Sequence, residues 1–356
     1  MGYEFDFFQV GEASKPGDAT CFRFGDLLNG GSQKICIIDA GTRATGLDMA
    51  QHIKSFYNTS VVDFAFVTHP HDDHIQGFFS LIESCTVKNL VMHLPWVHSE
   101  ELHRILDDGR RTPESVRSSL QRSLASLYSL QELAATYSVT VYDYFNPLLP
   151  YLIPSEIKIL GPSYEYYTSL LPEFLDTQAA STAATESLLG RVVSFFDFLM
   201  ETLEEPADND VSAMNNSSAI LLVTIDGYRF LFTGDAGVPA LDKAIDYAEQ
   251  NAISVFQPNY FHIPHHGSKR NLGPMILDRI CGEKQGIFIS EEHCTNFALV
   301  SLAKEQNDKH PSKKVLNALR RRGYKTPIID CVLRSSKNAP NRGWETCRYH
   351  PVYEDE

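Results

Sequence analysis

The stretch His69-Pro70-His71-Asp72-Asp73-His74 constrains this chain more than any other. It follows Val61-Val-Asp-Phe-Ala-Phe-Val-Thr68, a β-branched and aromatic run that reads as a buried strand. After it come Ile75-Gln76-Gly77 and residues 78–82, which can open a helix. His69, His71, Asp73 and His74 therefore share one short strand-to-helix turn. Neutral imidazoles and a carboxylate suit zinc, manganese or iron. The pairs His69/His71 and Asp73/His74 face different directions, so they suit two adjacent ions better than one.

The 356 residues are enough for one large domain or two modest ones with a sizeable core. Apolar residues make up 43% and charged residues 21%, an ordinary balance for a globular chain. No apolar stretch approaches the roughly 18–20 residues that cross a bilayer. The N-terminus lacks a basic segment followed by an apolar one, so neither a membrane span nor a secretory signal is expected. Seven scattered cysteines without a C-x-x-C pair read as reduced thiols of a cytoplasmic protein. A net charge of −14 argues against a broad, non-specific nucleic-acid surface. Residues 304–325 are the exception, with eight Lys and Arg against Glu305 and Asp308. That segment reads either as a solvated helix face or as a landing surface for an anionic substrate.

Along the chain, residues 5–10, 18–24 and 34–39 read as strands separated by Gly-containing turns. The third ends in Asp39-Ala40-Gly41, and an acid closing an apolar strand before a glycine often stands at a functional sheet edge. Residues 47–57 suit a helix packed on a sheet, and Val87 to His93 suits another strand. His93 at that strand's end reads more readily as structural than as part of a site. Residues 113–137 carry apolar side chains at intervals of three and four, which predicts one long amphipathic helix. Residues 188–203 are apolar on more than one face and must be covered. Insertions at about 95–137 and 165–208 thus read as a cap over the site or as a homodimer contact, within a single domain spanning 1–356. Further on, Asp226-Gly227 predicts a hairpin turn between two strands, the second ending in Gly234-Asp235-Ala236-Gly237. Tyr260-Phe-His-Ile263 then leads into Pro264-His265-His266-Gly267-Ser268.

The His-x-His-x-Asp-His run resembles the signature of the metallo-β-lactamase fold superfamily. That resemblance implies an αββα sandwich of two mixed sheets with a dinuclear site at one sheet edge. It implies that Asp39 orients a metal-binding histidine from behind, that Asp235 bridges both metals, and that the His265-His266 pair supplies the second metal. One ion would then sit at His69, His71 and Asp235 with an open position, the other at Asp73, His74, Asp235 and either His265 or His266. Phe8-Gln-Val-Gly11, Gly17-Asp18-Ala19, Asn215-Asn216-Ser217-Ser218, Thr233-Gly-Asp-Ala236, Pro264-His-His-Gly-Ser268 and His310-Pro311 resemble the ComEC-type group in its stand-alone form. Many superfamily members place a third histidine on the first metal, and none is comparably placed here apart from His93. The ComEC-type resemblance puts Asn215 or Asn216 beside that metal or against the substrate, with Ser218 in the same turn.

These readings converge on a metal-dependent hydrolase holding two divalent ions, zinc or manganese. Water shared by two such ions becomes a hydroxide near neutral pH and attacks the substrate. Asp73 is a candidate to orient that water, and His310, Ser268, Lys269 and Arg270 are candidates to hold an anionic substrate or protonate a leaving group. The leading expectation is phosphodiester cleavage, a nuclease acting on nucleic acid or a nucleotide being one such enzyme. Hydrolysis of another ester, an amide or a lactam is the second reading. An iron-loaded redox enzyme and a regulatory protein with a structural metal site are the others.

Overall fold

Alternation in the first strand already sets up the layers. Tyr3, Phe5 and Phe7 face one side and Glu4, Asp6 and Phe8 the other, and all six are buried. A strand buried on both faces belongs inside a layered structure. The computed structural model describes residues 1–11, 16–29, 31–175, 203–207, 209–301, 310–328, 332–343 and 346–353.

The first part of the chain gives β1 (Gly2–Phe8), β2 (Ala19–Gly25), β3 (Gln33–Ala40), α1 (Arg43–Phe56), β4 (Val61–Phe66), α2 (Asp72–Ser84), β5 (Thr86–Val91), α3 (Ser99–Leu106), α4 (Pro113–Ser123), α5 (Ala125–Thr136) and β6 (Thr140–Tyr142). The rest gives α6 (Leu149–Leu152), β7 (Ile157–Gly161), α7 (Tyr164–Phe174), α8 (Ala213–Asn216), β8 (Ile220–Ile225), β9 (Tyr228–Phe232), α9 (Val238–Gln250), β10 (Tyr260–His262), α10 (Pro274–Cys281), β11 (Asn296–Leu299), α11 (Lys313–Arg320), β12 (Tyr324–Lys325) and β13 (Val332–Lys337).

Among the described residues one sheet runs β13-β1-β2-β3-β4-β5-β6 and the other β12-β11-β10-β9-β8-β7. Each is mixed: β3 to β6 and β9 to β12 are parallel runs, and the remaining pairings are antiparallel. One core lies between the sheets, where Phe22, Phe5, Phe230 and Tyr260 stack with ring centroids 4.5, 3.8 and 4.3 Å apart. A second core joins the first sheet to α1, α2, α4 and α5, and a third joins the other sheet to α9, α10 and α11. The layers are therefore α, β, β, α, as expected. The buried acids of β1 are compensated: Glu4 pairs with Arg23, Arg334 and Arg342, while Asp6 accepts from the Tyr57 hydroxyl and faces His52 Nε2 at 3.0 Å.

This topology decides where chemistry collects. The ends of the parallel strands β3, β4, β9 and β10 lie at one edge of the sandwich. Because β2 is antiparallel to β3 and β8 to β9, the segments that precede β2 and β8 reach the same edge. The Asp226-Gly227 turn joins β8 to β9 as expected, with both residues at positive φ and Ile225 opposite Tyr228.

Three readings need correction or delimiting. The stripe over residues 113–137 is two helices, because Leu124 leaves helical geometry (φ −113°, ψ 45°) and buries its own side chain. Each half keeps its apolar spacing, so α5 packs on α2 while α4 packs on α3. Arg320, Arg321 and Arg322 form neither a solvated face nor a landing surface, since all three are buried. Arg322 reaches Asp278 at 2.7 Å, Arg320 donates to the His350 carbonyl at 2.9 Å, and Arg321 lies 4.4 Å from the Phe288 ring centre. Each guanidinium thus meets a carboxylate, a carbonyl or an aromatic face inside the protein. The apolar segment 188–203 lies outside the described residues except for Leu203.

The helix that carries the central turn is held by close backbone approach. A Cβ on Gly77 would stand 1.9 Å from the Ala40 carbonyl oxygen, and one on Gly46 would stand 2.0 Å from that of Gly77. Gly77→Ala should therefore lower stability by about 1–3 kcal/mol, as overpacking does. Urea unfolding measures this, and an unchanged midpoint would mean that α2 can move away from β3 freely.

Candidate metal centre

The first half of the site is built by β3, β4 and the start of α2. Asp39 sits just inside the end of β3 with φ at 52°, which turns its carboxylate under the next strand's loop. Its two oxygens accept the Thr68 backbone N–H at 2.8 Å and the Thr68 hydroxyl at 2.6 Å. The second oxygen also lies 2.8 Å from His74 Nδ1. His74 is thereby oriented with Nε2 pointing inward. His71 caps α2, so Asp72 and Asp73 fall in the first helical turn, where the helix dipole favours negative charge. His69 Nε2 and His71 Nδ1 converge to 3.0 Å. Gly17 is required here, because a Cβ would stand 2.2 Å from the Asp73 carbonyl oxygen.

The second half comes from the other sheet. Asp235 follows β9 in a loop fixed from three sides. Ser218 Oγ accepts its backbone N–H at 3.0 Å, Asn216 Oδ1 accepts that of Gly237 at 3.1 Å, and Asn271 Nδ2 donates to the Asp235 carbonyl at 2.9 Å. The two carboxylate oxygens of Asp235 then face different histidines. Oδ2 lies 3.5 Å from His69 Nε2 and 3.7 Å from His265 Nε2, while Oδ1 lies 3.5 Å from His74 Nε2.

His265 and His266 do not compete for one place. Both have left-handed backbone torsions (φ 48° and 55°), so their rings diverge, with centroids 5.7 Å apart and planes at 70°. His265 turns toward Asp235 Oδ2 and the His69 side. His266 turns toward Asp73, with Nε2 3.8 Å from Asp73 Oδ2. Among the described residues, three groups of three ligating atoms at this centre lie within 4.8 Å of one another, and His74 belongs to each: with His69 and Asp235, with Asp73 and His266, and with Asp18 and Asp39.

Four residues gain importance that sequence reading did not give them. Asp18, just before β2, is buried 3.5 Å from His266 Nδ1 and 3.7 Å from His262 Nε2. It shares with Asp39, Thr68 and His262 the lining of a cavity of about 10 Å³. Thr68 Oγ1 stands 3.1 Å behind His69 Nδ1, and Asn271 Oδ1 stands 3.1 Å behind His265 Nδ1. The signal for Asp18 was present, since Gly17-Asp18-Ala19 puts an acid beside a glycine at a strand end, like Asp39 and Asp235.

Electrostatics suit a cation. Asp18, Asp39, Asp73 and Asp235 converge, and their ion-pair partners among the described residues are histidines. Burial opposes protonation of His266, but the facing carboxylates of Asp18 and Asp73 win and raise its pKa to about 10. His74 is raised for the same reason, by Asp235 and Asp39 against burial. His69 goes the other way, pushed down by burial and by the neighbouring His74 and His71. Two inward atoms, His74 Nε2 and Asp235 Oδ1, are buried without a hydrogen-bond partner among the described residues. An unpartnered imidazole nitrogen and an unpartnered carboxylate oxygen among four carboxylates fit divalent metal ions.

The remaining candidates are placed as follows. Asn215 Nδ2 lies 3.3 Å from His265 Nδ1, whereas Asn216 and Ser218 serve the Asp235 loop. Ser268 is buried and donates its N–H to the His265 carbonyl at 3.0 Å. Lys269 and Arg270 are exposed just beyond it. The His310 ring lies nearly parallel to that of His265, 6.4 Å away. His93 is elsewhere, buried against Tyr167 with rings 4.2 Å apart.

The sequence matches no family model, and no curated protein matches it. Among solved structures 31 chains match. One is the metallo-beta-lactamase fold protein YhfI from Bacillus subtilis, with 11% identity, a TM-score of 0.43, and 94% of this chain and 100% of that one covered. Another is Zn(2+)-bound PqqB from Methylobacterium extorquens, at 9% identity and TM-score 0.39, covering 93% and 99%. A third is a diphosphatase of the PhnP family, at 9% identity and TM-score 0.34, covering 94% and 98%. The structure itself shows a four-layer αββα sandwich. At these TM-scores, function has to be argued from the atoms of the site itself.

His93 offers a test of burial away from the centre. Burial pushes its pKa from 6.5 down to about 4. The unfolded chain therefore takes up this proton first as pH falls, so stability is full above about 6.5 and is lost toward 4. The loss is on the order of 3 kcal/mol. His93→Phe should flatten the fall in stability between pH 7 and pH 4 by that order, read by urea unfolding. An unaltered pH profile would show that His93 is solvated.

Proposed function

We propose that this chain is a hydrolase that uses two divalent metal ions, zinc or manganese, to cleave a phosphodiester. The observation that carries the two-ion reading is the division of the Asp235 oxygens between separate histidines. In this reading His69, His71 and His265 form one donor set, Asp73, His74 and His266 form the other, and Asp235 is shared. His265 thus takes the position of the third histidine, and the His265-His266 pair serves both sets. Two ions held there would supply a water acidic enough to lose its proton near neutral pH, and positive charge for the reacting oxygens.

The chain's own residues would do the rest. Asp73, half-exposed at the mouth, would hold and orient the water. Asn215, beside His265, would donate to a substrate oxygen. His310, stacked over His265, would meet the leaving-group oxygen with a proton. Substrate class is supported by the motif resemblance to the ComEC-type group and by the exposed Lys269 and Arg270 beside the centre, not by the buried Arg320, Arg321 and Arg322. Among the described residues no helix is long and apolar enough to cross a membrane. A cytoplasmic location is part of the same proposal and is supported by the buried thiols Cys21, Cys36, Cys85, Cys281 and Cys294, none in a disulfide.

The decisive experiment pairs metal content with a substrate panel of phosphodiester, phosphomonoester, lactam and thioester, each with zinc and with manganese. Phosphodiester turnover is expected to lead. Asp235→Ala should lose both ions by elemental analysis and reduce turnover at least ~10²-fold. A fully metallated Asp235→Ala would remove the sharing role. Turnover of the lactam or thioester alone would transfer the chain to the other ester and amide reading.

A further inference from the structure

The two donor sets that Asp235 divides are supported from behind by different chemistry. His74 Nδ1 faces the Asp39 carboxylate at 2.8 Å and the Asp18 carboxylate at 4.0 Å. His266 Nδ1 faces Asp18 at 3.5 Å. Asp73 adds a third acid directly to this set. On the other side the supports are neutral. Thr68 stands behind His69; its hydroxyl donates to Asp39 and so is left to accept from His69. Asn271 and Asn215 stand behind His265 at 3.1 and 3.3 Å. His71 turns its Nδ1 inward, 3.0 Å from His69 Nε2.

Depth does not separate the sets: His69 is buried like His74 and His266, whereas His71 and His265 are part-exposed, the His265 side chain at 38%. Asp73, at 40%, is the exposed member of the acidic set and gives it a path to solvent. A carboxylate behind a histidine raises the basicity of the inward nitrogen, and loss of such a support costs about 10–100-fold in metal affinity. Charge acts in the same direction, because a cation in the acidic set has three carboxylates within reach besides the shared Asp235.

We infer that the centre fills in order: the Asp73–His74–His266 set binds tightly through its carboxylate supports, and the His69–His71–His265 set is an exchangeable position whose occupancy follows the metal supply. The inference rests on the two-ion reading above. Asp18 becomes a positioning residue, acting through His266.

Chelator-stripped protein titrated with Co²⁺, followed by d–d absorption and by competition with a chromophoric chelator, tests this without any turnover. Two steps are expected, the first at least ~10-fold tighter than the second. Asp18→Asn should weaken the first step by ~10–100-fold and leave the second within a few fold. His265→Ala should abolish the second step and spare the first. Thermal melting of the stripped variants checks that each still folds. Two equal steps, or a first step that responds to His265→Ala but not to Asp18→Asn, overturn the order. No bound cobalt at all would overturn the two-ion reading itself.

Discussion

The Asp39 carboxylate is the constraint on which the site depends. It is buried, and burial alone would raise its pKa and disfavour its charge. Two donors from Thr68 and the imidazole of His74 offset part of that cost, and burial still leaves the pKa raised. In doing so they tie the end of β3 to the loop after β4 and to the first turn of α2. A single charged group therefore fixes three segments relative to one another, and its own stability requires all three to be present. Removing it would leave buried donors without acceptors, which costs more than the bonds contribute.

The sandwich supplies what that carboxylate needs, a dry edge where strand ends meet. The aromatic stack from Phe22 to Tyr260 locks the sheets face to face, and the paired charges of Glu4 let β1 lie between two cores. Asp235 and the His265-His266 turn are then carried to the first sheet's edge by the packing of the second sheet. Neither half has enough donors for two ions alone, so the centre reports on sheet docking as much as on local sequence.

The fold was largely legible because strand ends and glycines fall where β-branched runs stop, as at Asp39 and Asp235. The turn from His69 to His74 was legible because the donors lie within one loop. What escaped was set by torsion and by distance along the chain. Sequence could not separate His265 from His266, since only a pair of left-handed residues sends adjacent rings to opposite sides. Asp18 escaped because its partner His266 is remote along the chain. Leu124 breaks a helix without a glycine or proline to mark it. Arg320, Arg321 and Arg322 misled because a run of charges says nothing about which side chains are buried.

The left-handed His265-His266 pair has a consequence for how the two halves of the centre are spaced. Adjacent residues share one rigid peptide plane, so the offset between their Cβ atoms is set by the two backbone torsions that flank it, and short side chains then carry the rings. The separation between the donor sets is to that extent machined into the main chain, like the pitch of a thread. Side-chain substitutions nearby would change what each half holds while leaving the interval between the halves almost untouched.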